Sequence, residues 1–120
     1  MNLRYLIDEN VDPLYKQQLL KKNSEIRAYS VGDPGCPPKS TLDPDILVWC
    51  EENRCLLVTH NRTSMPPYLA AHLGQGHYIP GILILSERMS IGETIEELLL
   101  IAEEGLPSAY QDCITYLPVT

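Results

Sequence analysis

Three short polar segments hold the residues of this 120-residue chain best suited to chemistry: Asp8-Glu9-Asn10, Asp43-Pro44-Asp45 and His60-Asn61-Arg62. Carboxylates that converge on one crevice repel, raise one another's pKa, or recruit a hard cation. Magnesium and manganese suit such oxygen donors, usually with some waters retained. An ion held this way activates water and stabilises charge on a phosphate, the chemistry of many nucleases. Each residue also has an ordinary role open to it. Asp43 can cap a helix, and Asp45 can favour the helix dipole from the first turn. Glu9 and Asp12 can be solvated or helix-start residues. His60 can be a metal ligand, a general base or a structural hydrogen-bonding group. Arg62 can hold a phosphate or pair with an acid. Asp8 directly follows an apolar run, so a plain turn role suits it less, because a buried charge needs a partner.

The scaffold that must position these residues is legible from apolar runs and their punctuation. Leu3 to Ile7 is an apolar strand without alternation, as suits a central strand covered on both faces. Pro13 opens a first helix that ends near Asn23. Ile26 to Val31 is a second strand, followed by the Gly- and Pro-rich loop Gly32 to Pro38. Asp43 is the expected N-cap of a second helix running to Asn53, with Pro44 at its first position. Cys55 to Thr59 is a third strand. Ser64 caps a third helix to about Leu73, ended by Gly74 and Gly76. Ile82 to Leu85 is a fourth strand, Ser90 to Glu104 an amphipathic helix, and Cys113 to Leu117 a last short strand. Alternating strands and helices predict an α/β domain over residues 1–120, an open, mostly parallel sheet of about five strands with helices on both faces and right-handed connections. In such sheets ligands bind at the carboxyl ends of the strands, where all three polar segments fall.

The net charge is −7, from 9 Lys+Arg against 16 Asp+Glu, which excludes a broadly basic nucleic-acid surface. Residues 89–120 hold six of those acids and no Lys or Arg, so the excess is mostly a solvated helix face. The rest of the chain is nearly balanced and leaves Lys39, Arg54 and Arg62 to meet phosphate. Cys36, Cys50, Cys55 and Cys113 lack C-x-x-C spacing and read as buried or incidental thiols. His72 and His77, beside Gly74 and Gly76, read as loop or helix-end residues with no metal-ligand spacing. Nothing resembles a signal peptide or a membrane span, so a cytoplasmic protein is expected.

The runs L-I-D-E-N-V at 6–11, L-D-P-D-I-L at 42–47 and L-V-T-H-N-R-T-S-M-P at 57–66 together resemble the small PIN-like domains of bacteria and archaea. P-G-I-L-I-L and S-I-G-E-T-I-E-E-L-L extend the likeness over nearly the whole chain. The resemblance implies a PIN-like fold, acids around a Mg2+ or Mn2+ site, and the toxin component of a toxin-antitoxin pair acting as a ribonuclease. RNA, an antitoxin protein and a second copy of the chain are the partners it implies. It matches Asp8 and Asp43 to the family's acids and Asn61 to the position where related sequences carry Asp. With Asp45, which the helix is expected to keep near Asp43, the expected metal ligands are Asp8, Asp43 and Asp45, and these with Asn61 are the catalytic candidates. Glu9, Asn10, His60 and Arg62 are substrate or supporting candidates. An amide oxygen can ligate but brings no charge and cannot act as a base. A catalytically weak module that works through a protein partner is therefore the alternative. A phosphoacceptor receiver domain is excluded, because Thr59-His60-Asn61 and Tyr116-Leu117-Pro118 lack its aspartate and lysine.

Overall fold

The apolar runs without alternation demand cover on both faces, and both become interior strands. The structure, a computed structural model, describes residues 3–119. In chain order these form β1 (Arg4–Ile7), α1 (Pro13–Lys22), β2 (Arg27–Ser30), α2 (Asp43–Asn53), β3 (Cys55–Thr59), α3 (Met65–Gly74), β4 (Ile82–Ile84), α4 (Ile91–Glu104), α5 (Pro107–Tyr110) and β5 (Ile114–Tyr116). The five strands make one sheet in the order β2-β1-β3-β4-β5. Every pair is parallel, with Ile7 level with Ser30 on one side and Val58 on the other. This is the expected open α/β architecture, consistent with a PIN-like fold. Among the described residues, no helix is long and apolar enough to cross a membrane.

Strand alternation sorts the core into two layers. Tyr5, Ile7, Leu56, Val58 and Leu83 face α1 and α4, meeting Leu19, Ile95, Leu98 and Ile101. Leu6, Leu57, Ile82 and Ile84 face α2 and α3, meeting Ile46, Leu47, Met65 and Leu69. Tyr5 crosses its layer completely, and its hydroxyl donates to the Leu98 carbonyl at 2.7 Å.

The last crossover departs from the expectation of right-handed connections. β3 to β4 and β4 to β5 step the same way across the sheet, yet α3 and α4 lie on opposite faces, so the two connections have opposite hands. The apolar stripe of α4 accounts for this. The α1 face would otherwise be covered by a 10-residue helix in which only Leu19 is buried, while α2 and α3 already fill the other face. α4 starts with a reciprocal capping box, Ser90 to the Glu93 N–H and Glu93 back to the Ser90 N–H. The chain then returns through α5, a turn of helix absent from the sequence expectation.

Two helix starts also differ. Asp12 caps α1 through the Leu14 N–H, as a helix-start acid should. Asp43 does not cap α2: Leu42 is the N-cap residue, and Asp43 is the first helical residue with its carboxylate directed elsewhere. Ser64 occupies the N-cap of α3 without a side-chain cap bond.

Candidate functional site: a carboxylate cleft at the strand ends

From β1 the chain turns to β2, and from β3 it turns the other way to β4, so the order reverses between β1 and β3. In open parallel sheets that reversal opens a crevice beyond the carboxyl ends of the two strands. A cleft of about 390 Å3 lies there, lined by Asp8, Glu9, Asn10, Thr41, Leu42, Asp43, Thr59, His60, Asn61 and Tyr68.

Asp8 is held at its floor by continuation of the sheet. Its N–H donates to the Val58 carbonyl at 2.9 Å, one residue past the end of β1. Its carboxylate, with the residue only 8% exposed, accepts the Thr59 hydroxyl on one oxygen and the Glu9 N–H on the other, each at 2.9 Å. These donors compensate for much of the hydration lost on burial. Thr59 is thus part of the site, although the sequence marks it only as the end of a strand.

Asp43 arrives from the first turn of α2. Burial, then the negative charge of Asp8, push its carboxyl above the ordinary range; the Asn61 amide pulls it back, and Glu9 adds a weaker upward push. Asn61 donates its Nδ2 to Asp43 at 3.3 Å and accepts the Ser64 N–H on Oδ1 at 3.0 Å. A backbone N–H can meet only the oxygen of that amide, which fixes its orientation. The Asn61 oxygen is therefore engaged by the α3 start, and the nitrogen faces the acid. In this geometry Asn61 positions Asp43 through its nitrogen and turns its oxygen toward the start of α3, away from the acid.

Asp45 is exposed and lies outside the cleft lining, because two residues along the first turn of α2 rotate it to the opposite side of the helix from Asp43. The expected set of Asp8, Asp43 and Asp45 is not assembled. Glu9 lines the rim, and its carboxylate accepts the Ser40 N–H at 2.7 Å. That bond holds Ser40 at φ 69, a left-handed conformation uncommon for residues other than Gly, and ties the loop before α2 to the end of β1. Asn10 is exposed at the same rim.

His60 joins this cleft to a second one of about 580 Å3, lined also by Arg62, Leu85, Ser86, Glu87 and Arg88. The His60 ring packs edge-on to Tyr15 with centroids 6.2 Å apart, and its buried Nδ1 has no hydrogen-bond partner. The Arg62 guanidinium lies over the Tyr116 ring at 5.4 Å. Arg88 and the half-exposed Tyr68 have no distinguishing motif and escape a reading of the sequence. Arg54, expected to be available to phosphate, ends α2 at the opposite edge of the sheet, beside Arg4. Lys39 stays near the acids, in a neighbouring cleft with Asp8 and Glu9.

A different set of residues forms a group able to hold a metal ion: Glu51, His72 and His77, whose donor atoms all lie within 4.8 Å of one another. These histidines were expected to be plain helix-end residues. Comparison of the chain with protein-family models, curated proteins and solved structures gave no match.

Proposed function

We propose that the cleft between β1 and β3 binds a divalent cation, Mg2+ or Mn2+, and that the protein is a PIN-like ribonuclease, the toxin component of a toxin-antitoxin pair. The observation that carries this reading is the pairing of Asp8 and Asp43 at the switch point, where both line one cleft and the charge of Asp8 helps raise the Asp43 carboxyl. The donor set fits a hard ion. Mg2+ is commonly held by one or two carboxylates, with waters and substrate phosphates completing its shell. Bound there, such an ion supplies an activated water and neutralises charge on a phosphate.

The chain's own residues divide the remaining work. Thr59 and the Glu9 N–H orient Asp8, and Asn61 orients Asp43. Arg62 and Arg88 present guanidinium groups for backbone phosphates in the adjoining cleft, with His60 between the two clefts. Tyr68 offers a ring on the rim against which an unpaired base can stack. The local basic pair meets the objection raised by the overall negative charge. The antitoxin and the toxin role rest on the sequence resemblance.

The test is cleavage of single-stranded RNA by purified protein with Mn2+. Cleavage should require the metal, disappear in Asp8→Asn, and persist in Asp45→Asn. Equal cleavage by wild type and Asp8→Asn would overturn the reading.

A second reading is favoured by the engaged Asn61 amide: a catalytically weak module acting through a protein partner. It expects no calorimetrically detectable binding of Mn2+ even at millimolar metal, and a single tight site would exclude it.

A further inference from the structure

We propose that Glu51, His72 and His77 form a zinc site at the edge of the sheet opposite the carboxylate cleft. Glu51 lies in the last turn of α2 and His72 in the last turn of α3. Both helices run antiparallel to the strands, so their ends meet beside the amino ends of β3 and β4. Gly76, at φ 85, reverses the chain after α3 and brings His77 back over His72, with the rings stacked at 4.8 Å.

The donors point at one another. Oε1 of Glu51 lies 3.0 Å from Nε2 of His72 and 3.1 Å from Nδ1 of His77. These are hydrogen-bond lengths, somewhat shorter than the roughly 3.3–3.6 Å between donors of one tetrahedral zinc, so an ion entering here would replace the shared protons and spread the group slightly. Two imidazole nitrogens and one carboxylate are a borderline donor set that selects zinc over magnesium, which prefers oxygen ligands in octahedral geometry. The spacing His72-x4-His77 also falls within that of known zinc ligands.

The His72 side chain is only 4% exposed, whereas that of His77 is 40% exposed and gives access from solvent. The Tyr78 N–H donates to Glu51 Oε1 at 3.1 Å, and its hydroxyl reaches the Glu51 carbonyl at 3.4 Å. The Tyr78 carbonyl lies 2.9 Å from the same His72 Nε2, so without metal that nitrogen carries a proton donated between this carbonyl and Glu51, and zinc must displace it. An ion here would fasten the ends of α2 and α3 to residues 77–78.

The experiment is equilibrium dialysis of full-length protein against Zn2+ with metal analysis, alongside zinc calorimetry. One zinc per chain is expected, with sub-micromolar affinity, unaffected by millimolar Mg2+. His77→Gln, on an exposed residue outside the helices, should weaken binding at least about 100-fold, and Glu51→Gln similarly. Cys113→Ser should bind as wild type does. Absence of stoichiometric binding, or binding that survives His77→Gln but not Cys113→Ser, would overturn the proposal and leave the three residues as a hydrogen-bonded helix tie.

Discussion

The side chain of Asn61 donates to Asp43 at 3.3 Å and thereby links the end of β3 to the first turn of α2. A carboxylate at the same position would add a fourth negative charge to a cleft already lined by Asp8, Glu9 and Asp43. An amide instead supplies a donor, with its oxygen turned to the Ser64 N–H. The residue exchanges charge for cation binding against order in the metal-free protein.

That exchange predicts the behaviour of Asn61→Asp. The new carboxylate retains an oxygen for the Ser64 N–H and turns the other toward Asp43. Affinity for Mn2+ should rise at least about tenfold, since opposite charge at short range dominates such sites. The metal-free variant should melt below wild type. Calorimetry and thermal melts check both, and unchanged affinity would contradict the role given to Asn61.

Asp43 carries a linked prediction for pH. Its folded pKa lies above the unfolded value of 3.8, so the folded state binds the extra proton in the window just above that value. Its contribution to stability therefore falls as pH rises through the window, and the deficit persists at neutral pH. Without metal, Asp43→Asn should be more stable than wild type at pH 7, by less than about 1 kcal/mol because the group is partly exposed. The advantage should shrink toward pH 4. Urea titrations at both pH values measure the difference, and a variant less stable at pH 7 would refute the sign.

Tyr5 tests the unusual last crossover. Its buried hydroxyl joins β1 to the α4 carbonyl of Leu98, and burial pushes its pKa far above the usual phenol range. Tyr5→Phe should lower unfolding free energy by about 1–2 kcal/mol through loss of this bond. A urea midpoint indistinguishable from wild type would show that α4 is held by apolar packing alone.

The four cysteines should separate by reactivity. Burial, with the neighbouring Cys55, raises the Cys50 thiol, and burial raises Cys55 to about 11. Burial and the Asp33 charge raise the half-buried Cys36, while Cys113 is exposed. A disulfide reagent should label Cys113 first in native protein, and Cys50 and Cys55 only on unfolding. Rapid native labelling of Cys50 would contradict the packing beneath α2.

Much of this was open to a reading of the residues. The strand-helix alternation and the position of Asp8 follow from local pattern, because apolar runs ending in an acid have few alternatives. Tertiary direction was not legible. Asp43 and Asp45 sit one residue apart on either side of Pro44, and only the shift of the helix start to Leu42 frees the first for the cleft while the second points to solvent. The amide of Asn61 has two faces, and which one meets the acid depends on the backbone of Ser64. The hand of the last connection depends on which face of the sheet lacks cover. His72 and His77 read as having no metal spacing, because a pair of histidines says little until the carboxylate partner, Glu51 on another helix, is brought beside them.

The central claim is that Asp8 and Asp43 together hold a hard divalent ion. Crystals soaked in Mn2+, with anomalous diffraction recorded above the manganese edge, test it most directly. The account predicts one peak in the cleft with oxygens of both Asp8 and Asp43 within roughly 2.0–2.6 Å, absent from crystals of Asp8→Asn. Saturating Mn2+ that leaves no peak between these carboxylates, with the Asn61 to Asp43 bond unchanged, would contradict it.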